Sequence, residues 1–185
     1  MLYRLFPRVP GVDVTGPGGP LHVPRWDQGG GRHDNPDAYG AIYVSRVPTS
    51  PIAERLRVQR GRIVTGTDLV REGAPLSLAV IDEGGLDDIL DLDDPQSLTE
   101  RSLRPSAVAT GDREVTQPIA LGIYEEGVSG FEWWSTIEAS WINVTLFADR
   151  AVQGLSIVGR PEPLTLDHPA VRAAADAVGV RLAAR

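Results

Sequence analysis

Three observations predict a single domain of mixed α+β architecture. Short segments rich in β-branched and aromatic residues alternate with helical patterns, as at Tyr39–Ser45 followed by Pro51–Arg60. The segments are too irregularly spaced for the repeating strand–helix units of a parallel sheet. A chain of 185 residues can bury one sizeable core but falls short of two.

Taken in order, Leu2–Phe6 alternates as an opening or edge strand and is ended by Pro7. Residues Arg8 to Asn35 are rich in Gly and Pro and carry no period, and so long a loop in a compact domain is usually functional or disordered. Tyr39–Ser45 reads as a buried strand. Thr49-Ser50-Pro51 reads as a hydroxyl cap ahead of a first-turn proline, opening a helix with Ile52, Ala53 and Leu56 on one side and Glu54 among them. Pro75–Ile81 and Ile89–Leu92 are expected strands, and Asp93-Asp94-Pro95 caps a short helix toward Leu103. Val115–Glu126 is expected to be a helix with Ile119, Ala120 and Ile123 inward and Gly127 as its terminating glycine. Gly130–Ser135 and Ile142–Ala148 are expected as paired strands, Leu164–Leu166 as a last short strand, and Asp167-His168-Pro169 as the start of a helix through Ala177.

Composition narrows the function classes. All 18 basic residues are arginine, and the net charge of −7 disfavours direct binding of nucleic acid or an anionic membrane, which rewards excess positive charge. The absence of cysteine excludes disulfides and thiolate chemistry. With neither a leader pattern nor a long apolar span, a cytoplasmic location is expected. Asp87, Asp88, Asp91, Asp93 and Asp94 lack the glycine and closing glutamate of a calcium loop and read as a solvated turn and cap. His22, His33 and His168 have no metal-ligand spacing, so no metal site is expected. Ser135 lacks the small-residue elbow of a hydrolase nucleophile.

The stretch Gly29–Leu56 organises the rest. Arg32 stands in a glycine turn, Tyr43 in a strand and Glu54 in a first helical turn, at intervals of 11 residues. Such positions can converge on one pocket. On composition alone Arg32 is a solvated charge. Gly29-Gly30-Gly31 could cradle a phosphate with backbone N–H groups, although the strand-then-helix setting of a dinucleotide fingerprint is missing. Glu54 either points to solvent between Arg55 and Arg57 or faces a pocket, since a desolvated carboxylate without a partner costs several kcal/mol. Trp133 and Trp134 fall on opposite faces of one strand, so that one is core and the other free to stack on a ligand ring.

These residues carry a resemblance. The block resembles the signature of the RES domain family, named for its Arg, Glu and Ser, whose pattern runs Gly-x-Arg-Trp-Asn, then Tyr, then Glu. Trp133-Trp134-Ser135-Thr136-Ile137, followed by Asn143-Val144-Thr145-Leu146-Phe147, is similar to the family's serine element and its downstream Asn-aliphatic strand. Thr116-Gln117-Pro118-Ile119-Ala120 is similar to the Thr-Gln helix start between them. The resemblance covers about Leu2 to Phe147. It departs at His33-Asp34, where the family has Trp-Asn, and at Ser129-Gly130, where Asp-Gly is expected. With the Arg, Tyr, Glu and Ser retained, it implies an intact site with an altered rim.

What the resemblance implies is an ADP-ribosyltransferase-like mixed sheet with flanking helices, its core at about 2–150 and a C-terminal strand and helix within 160–185 packed on it. It further implies metal-independent cleavage of the nicotinamide–ribose bond of NAD, a substrate rather than a cofactor, with ADP-ribose passed to phosphate or water. The protein would then be the toxin of a toxin–antitoxin pair, restrained by an Xre-type antitoxin. On this reading Arg32 grips a pyrophosphate or phosphate, Tyr43 meets the nicotinamide-ribose, Glu54 stabilises developing positive charge and Ser135 orients Glu54 or the ribose. Gly31 and Trp134 complete the ligand contacts. Transfer of ADP-ribose to a macromolecule, or a binding module without turnover, are the alternatives. The oligomeric state stays open, a homo-oligomer included.

Overall fold

The computed structural model describes residues 1–184. The chain begins with β1 (Leu2–Pro7), runs through a long loop, then forms β2 (Ala41–Ser45) and α1 (Thr49–Leu56). Short strands β3 (Ile63–Val64) and β4 (Val70–Arg71) precede the long β5 (Ala74–Asp82), then β6 (Ile89–Asp91). Helices α2 (Pro95–Glu100), α3 (Pro105–Val108) and α4 (Arg113–Glu125) follow, then β7 (Gly130–Trp134), β8 (Ile142–Phe147) and α5 (Ala148–Ala151). The chain closes with β9 (Ser156–Pro163), α6 (Pro169–Val178) and β10 (Arg181–Leu182).

The main sheet has the order β4-β5-β1-β2-β8-β7-β6, with β9 on the outer side of β5; β10 pairs separately with β3. Its neighbours are antiparallel except β6 and β7, which makes the sheet mixed. Alternation along each strand sorts the apolar residues between two faces. Ile42, Val44, Val144 and Leu146 form a core on one face with Leu2, Ala79 and Ile81. The other face carries two cores. Ile52, Ala53 and Leu56 of α1 pack on Val171, Ala174, Ala175 and Val178 of α6 over one half of the sheet. Ala120 and Ile123 of α4 pack on Phe131, Trp133 and Phe147 over the other half. Fully burying an Ile, Leu or Phe side chain contributes about 1.5–3 kcal/mol, so each half of this face is anchored independently.

Between the halves the sheet opens. β1 pairs with β5 from Leu2↔Ile81 to Pro7↔Leu76 and β2 with β8 from Ala41↔Phe147 to Ser45↔Asn143. β1 meets β2 only at Tyr3↔Ser45. The free edge of β2 is capped by the Gln28 side chain, which accepts from Ala41 N at 2.9 Å and donates to Ala41 O at 2.7 Å. A cleft of about 740 Å³ lies at this opening, lined among others by Leu5, Gly31, Asp34 and Tyr43.

Several sequence expectations need correction. Thr49 and Ser50 do not cap α1. They lie within its first turn behind Pro48, and the Ser50 hydroxyl turns inward to donate to Asn143 Oδ1 at 2.6 Å. Leu164–Leu166 is not a strand; Leu164 N donates to Leu76 O and its side chain enters the α1–α6 core. The strand there is β9, disguised by Gly159, Pro161 and Pro163, which an outer strand tolerates because its N–H groups on one side have no partner to lose. By contrast, Asp94 caps α2 by accepting from Gln96 N and Ser97 N, and Gly127 (φ +95°) follows α4 as its terminating glycine.

Candidate active site

The loop carrying Arg32 is held by polar contacts from three sides. Asp34 Oδ2 accepts from Gly29 N at 2.9 Å and Gly31 N at 2.6 Å, and Asp34 Oδ1 accepts from the Tyr43 hydroxyl at 2.7 Å. The same Tyr43 oxygen accepts from His33 N at 2.9 Å. From α4, the Thr116 hydroxyl donates to the Arg32 carbonyl and Gln117 Nε2 donates to Gly31 O at 3.0 Å. Tyr39 and Asn35 close the loop from behind, through Tyr39 Oη to His33 O at 2.7 Å and Asn35 Nδ2 to Gln117 O at 3.0 Å. The sequence folds this way because Gly31 has no side chain: a Cβ there would stand 2.5 Å from Tyr43 Oη and 2.6 Å from Asp34 Oδ1.

Two sequence expectations change at this loop. The glycine run does not present all three of its N–H groups to an anion, because Asp34 takes the Gly29 and Gly31 amides. His33 and Asp34 are not rim residues either; they are 3% and 5% exposed. His33 packs edge-on to Phe131 and Trp133, and its Nδ1 lies 2.8 Å from Thr145 Oγ1. Ser129, the third departure, is also buried.

Arg32 itself reaches out of this network. Its guanidinium stacks over the Trp133 ring at 4.6 Å and makes one long contact, Nη1 to Val108 O at 3.5 Å. Burial lowers its pKa from the ordinary value, Glu54 opposes that shift, Arg57 adds to it and Tyr43 opposes it. Arg32, Tyr43, Glu54 and Arg57 therefore share one electrostatic neighbourhood. The Tyr43 hydroxyl is pushed up, first by burial and then by the Asp34 carboxylate.

Across from the loop stands α1. Glu54 is partly buried, its side chain 27% exposed, with Oε2 3.2 Å from Arg57 Nε. Its Oε1 is buried without a hydrogen-bond partner. One turn earlier on the same helical face, Ser50 holds Asn143 through Oδ1, and Asn143 Nδ2 is likewise buried and unpartnered. Asn143 on β8 is the cross-strand neighbour of Trp133, the ring beneath Arg32. Buried polar groups without partners are uncommon and call for an explanation; here two fall within one constellation.

Ser135 is 2% exposed on the same face as Trp133. Its Oγ accepts from Ile137 N at 3.1 Å, and among the described residues no hydrogen bond joins it to Glu54 or Arg32. Glu54 is paired instead with Arg57, one of the two arginines expected to flank it if it points to solvent. Alternation turns Trp134 to the opposite face, so Trp133 is the ring beside Arg32. Sequence reasoning also missed Asn143, Ser50 and Asp34 as polar members of the site. An Asn in a β-branched run and a Ser ahead of Pro51 were the available signals.

The sequence profile described as the RES domain matches residues 2–167. No curated protein matches the chain significantly. Among solved structures, the chain resembles the crystal structure of the M. tuberculosis MbcT–MbcA toxin–antitoxin complex with a TM-score of 0.66 and 19% identity, over 97% of this chain and 88% of that one. At that identity the likeness concerns the fold. The profile match, spanning both site halves from Arg32 to Asn143, establishes that the chain belongs to the RES domain family.

Proposed function

We propose that this protein consumes NAD, breaking the nicotinamide–ribose bond and passing ADP-ribose to phosphate or water, as the toxin of a toxin–antitoxin pair. The observation that carries the reading is Glu54 Oε1, a buried carboxylate oxygen with no protein partner in the neighbourhood of Arg32. Membership of the RES family supports it, as does the fold shared with a chain of a toxin–antitoxin complex.

The chemistry suits one carboxylate. Ordinary glycoside cleavage needs a general acid for its leaving group as well as a second carboxyl group. Nicotinamide leaves a cation as a neutral molecule: the C–N bond pair departs with the ring, and the ribosyl carbon becomes oxocarbenium-like. Glu54 would stabilise that charge through Oε1, while Arg57 on Oε2 fixes its orientation. Arg32, with most of its five N–H donors unused, would bind a phosphate group in bidentate fashion. The ring of Tyr43 would pack on the ribosyl end, and the Ser135 hydroxyl keeps its hydrogen available for the substrate. An oxygen of phosphate or water then bonds to the ribosyl carbon and loses its proton to solvent. No cofactor or metal ion is required for these steps. The partner would be a small Xre-type antitoxin covering the cleft, whose nearby loop exposes Val12, Val14 and Trp26.

Incubation of purified protein with NAD, with and without phosphate, tests the reaction. Release of nicotinamide is expected, with phosphorylated ADP-ribose when phosphate is the acceptor. NAD recovered intact under both conditions would overturn the proposal; ADP-ribose found on protein instead would move the activity to macromolecular transfer.

A further inference from the structure

The departure at Asp34 has a chemical consequence for the site. A phenol has one hydrogen to donate. In this chain that hydrogen goes to Asp34 Oδ1 at 2.7 Å, and the Tyr43 oxygen accepts from His33 N at 2.9 Å. Asp34 is itself fixed, 5% exposed, with its second oxygen holding Gly29 N and Gly31 N. A carboxylate can only accept, whereas an amide both donates and accepts. An asparagine in the same place would use its oxygen for the two glycine amides and turn its NH₂ toward the Tyr43 oxygen. The Tyr43 hydrogen would then have to point elsewhere, and the open side of Tyr43 is the cleft.

We infer that Asp34 is a positioning residue that sets the polarity of Tyr43, committing its hydroxyl hydrogen to the protein so that Tyr43 offers a ligand its ring face and no donor. This rests on the NAD reading for its kinetic consequences but not for the hydrogen bond itself. It also gives His33-Asp34 a built role: His33 fills the space among Phe131, Trp133 and Tyr43, and its backbone N–H supplies the other half of the Tyr43 clamp.

The test uses Tyr43→Phe, Asp34→Asn and the double variant, each checked for folding by circular dichroism. Proton NMR of the parent should show a protected, downfield phenolic hydroxyl resonance that is absent from both single variants; this readout needs no NAD. With NAD, the kinetic comparison is Asp34→Asn against the parent and against the double variant. In the Asp34→Asn background the freed hydroxyl should lower KM severalfold, and adding Tyr43→Phe should reverse that gain. Absence of the resonance in the parent, or its persistence in Asp34→Asn, overturns the inference. So does a KM in folded Asp34→Asn that stays at the parent value, or that adding Tyr43→Phe does not raise again. If the parent turns over no NAD, the functional reading fails and the NMR result alone decides the polarity. If Asp34→Asn does not fold, Tyr43→Phe and the parent spectrum decide it.

Discussion

The two walls of the site are built on opposite terms. The arginine-loop wall is saturated: Asp34, Tyr43, His33, Asn35, Tyr39, Thr116 and Gln117 all engage one another or the loop backbone. The α1 wall keeps two buried polar atoms unpaired, Glu54 Oε1 and Asn143 Nδ2. Leaving such a group unsatisfied costs about 1–3 kcal/mol, more for a charged one. The fold tolerates this on the side where α1 is welded to α6 by an apolar interface. One wall is thus a rigid frame that aims a cation, and the other stores unsatisfied polarity where a ligand could relieve it.

The largest expected effect breaks the α1 wall. Glu54→Gln keeps the shape of the side chain but removes its charge, and turnover of NAD should fall ~100- to 1000-fold, the cost of about 3–4 kcal/mol for one well-placed electrostatic contact. The melting temperature should stay near that of the parent. Parent-level turnover in this variant would leave the wall without a reactive role.

On the frame wall, the sharper comparison is between neighbouring glycines. Gly31→Ala forces a Cβ against Tyr43 and Asp34 and should destabilise by about 1–3 kcal/mol, as overpacking does. At Gly30 a Cβ meets nothing within 4 Å, so Gly30→Ala should fall within about 0.5 kcal/mol of the parent. Equal melting temperatures for the two variants would show the frame to be loose.

His33 gives the frame a pH signature. Burial, and then the charge of Arg32, hold its pKa well below the ordinary 6.5. The folded state therefore keeps it neutral while the unfolded chain takes up a proton below pH 6.5. Stability is fully present above that pH and is lost as the pH falls, by up to ~1.4 kcal/mol per pH unit, until the folded value is reached. Thermal melts from pH 7 to 5 should show a shallower slope for His33→Gln than for the parent; identical slopes would count against a neutral buried His33.

A small stability effect is also expected at Arg57. Its ion pair with Glu54 is largely exposed on the arginine side, so Arg57→Ala should cost only about 0–1 kcal/mol of stability. If Arg57 orients Glu54, kcat should drop in the same variant with KM nearly unchanged, and Arg57→Lys should restore part of it. A change confined to stability would reduce Arg57 to a surface partner.

Much of this was legible in the chain. Runs dense in β-branched and aromatic residues announced β2 and β8 because both strands are buried on both faces. Gly127 and Asp94 announced helix ends because their roles depend on local backbone chemistry. The spacing of Arg32, Tyr43 and Glu54 located a loop, a strand and a helix that the fold does bring into one neighbourhood. Ser50 was misread because a hydroxyl ahead of a proline fits a cap as well as it fits a buried donor. Only its distant partner Asn143, 93 residues away, distinguishes the two.

The sequence alone determined the α+β class, the central strands, the family and the identity of the charged residues, since these follow from periodicity, turn chemistry and local motif. Tertiary structure alone decided which polar atoms are spoken for: that Asp34 captures Tyr43 and two of the three glycine amides, that Trp133 rather than Trp134 lies beneath Arg32, and that Glu54 keeps one oxygen buried and free. Hydrogen-bond partners at long separation depend on the register between β2, β8 and β7 and on where β1 parts from β2. Shifting one strand by a single residue turns each of its side chains to the other face.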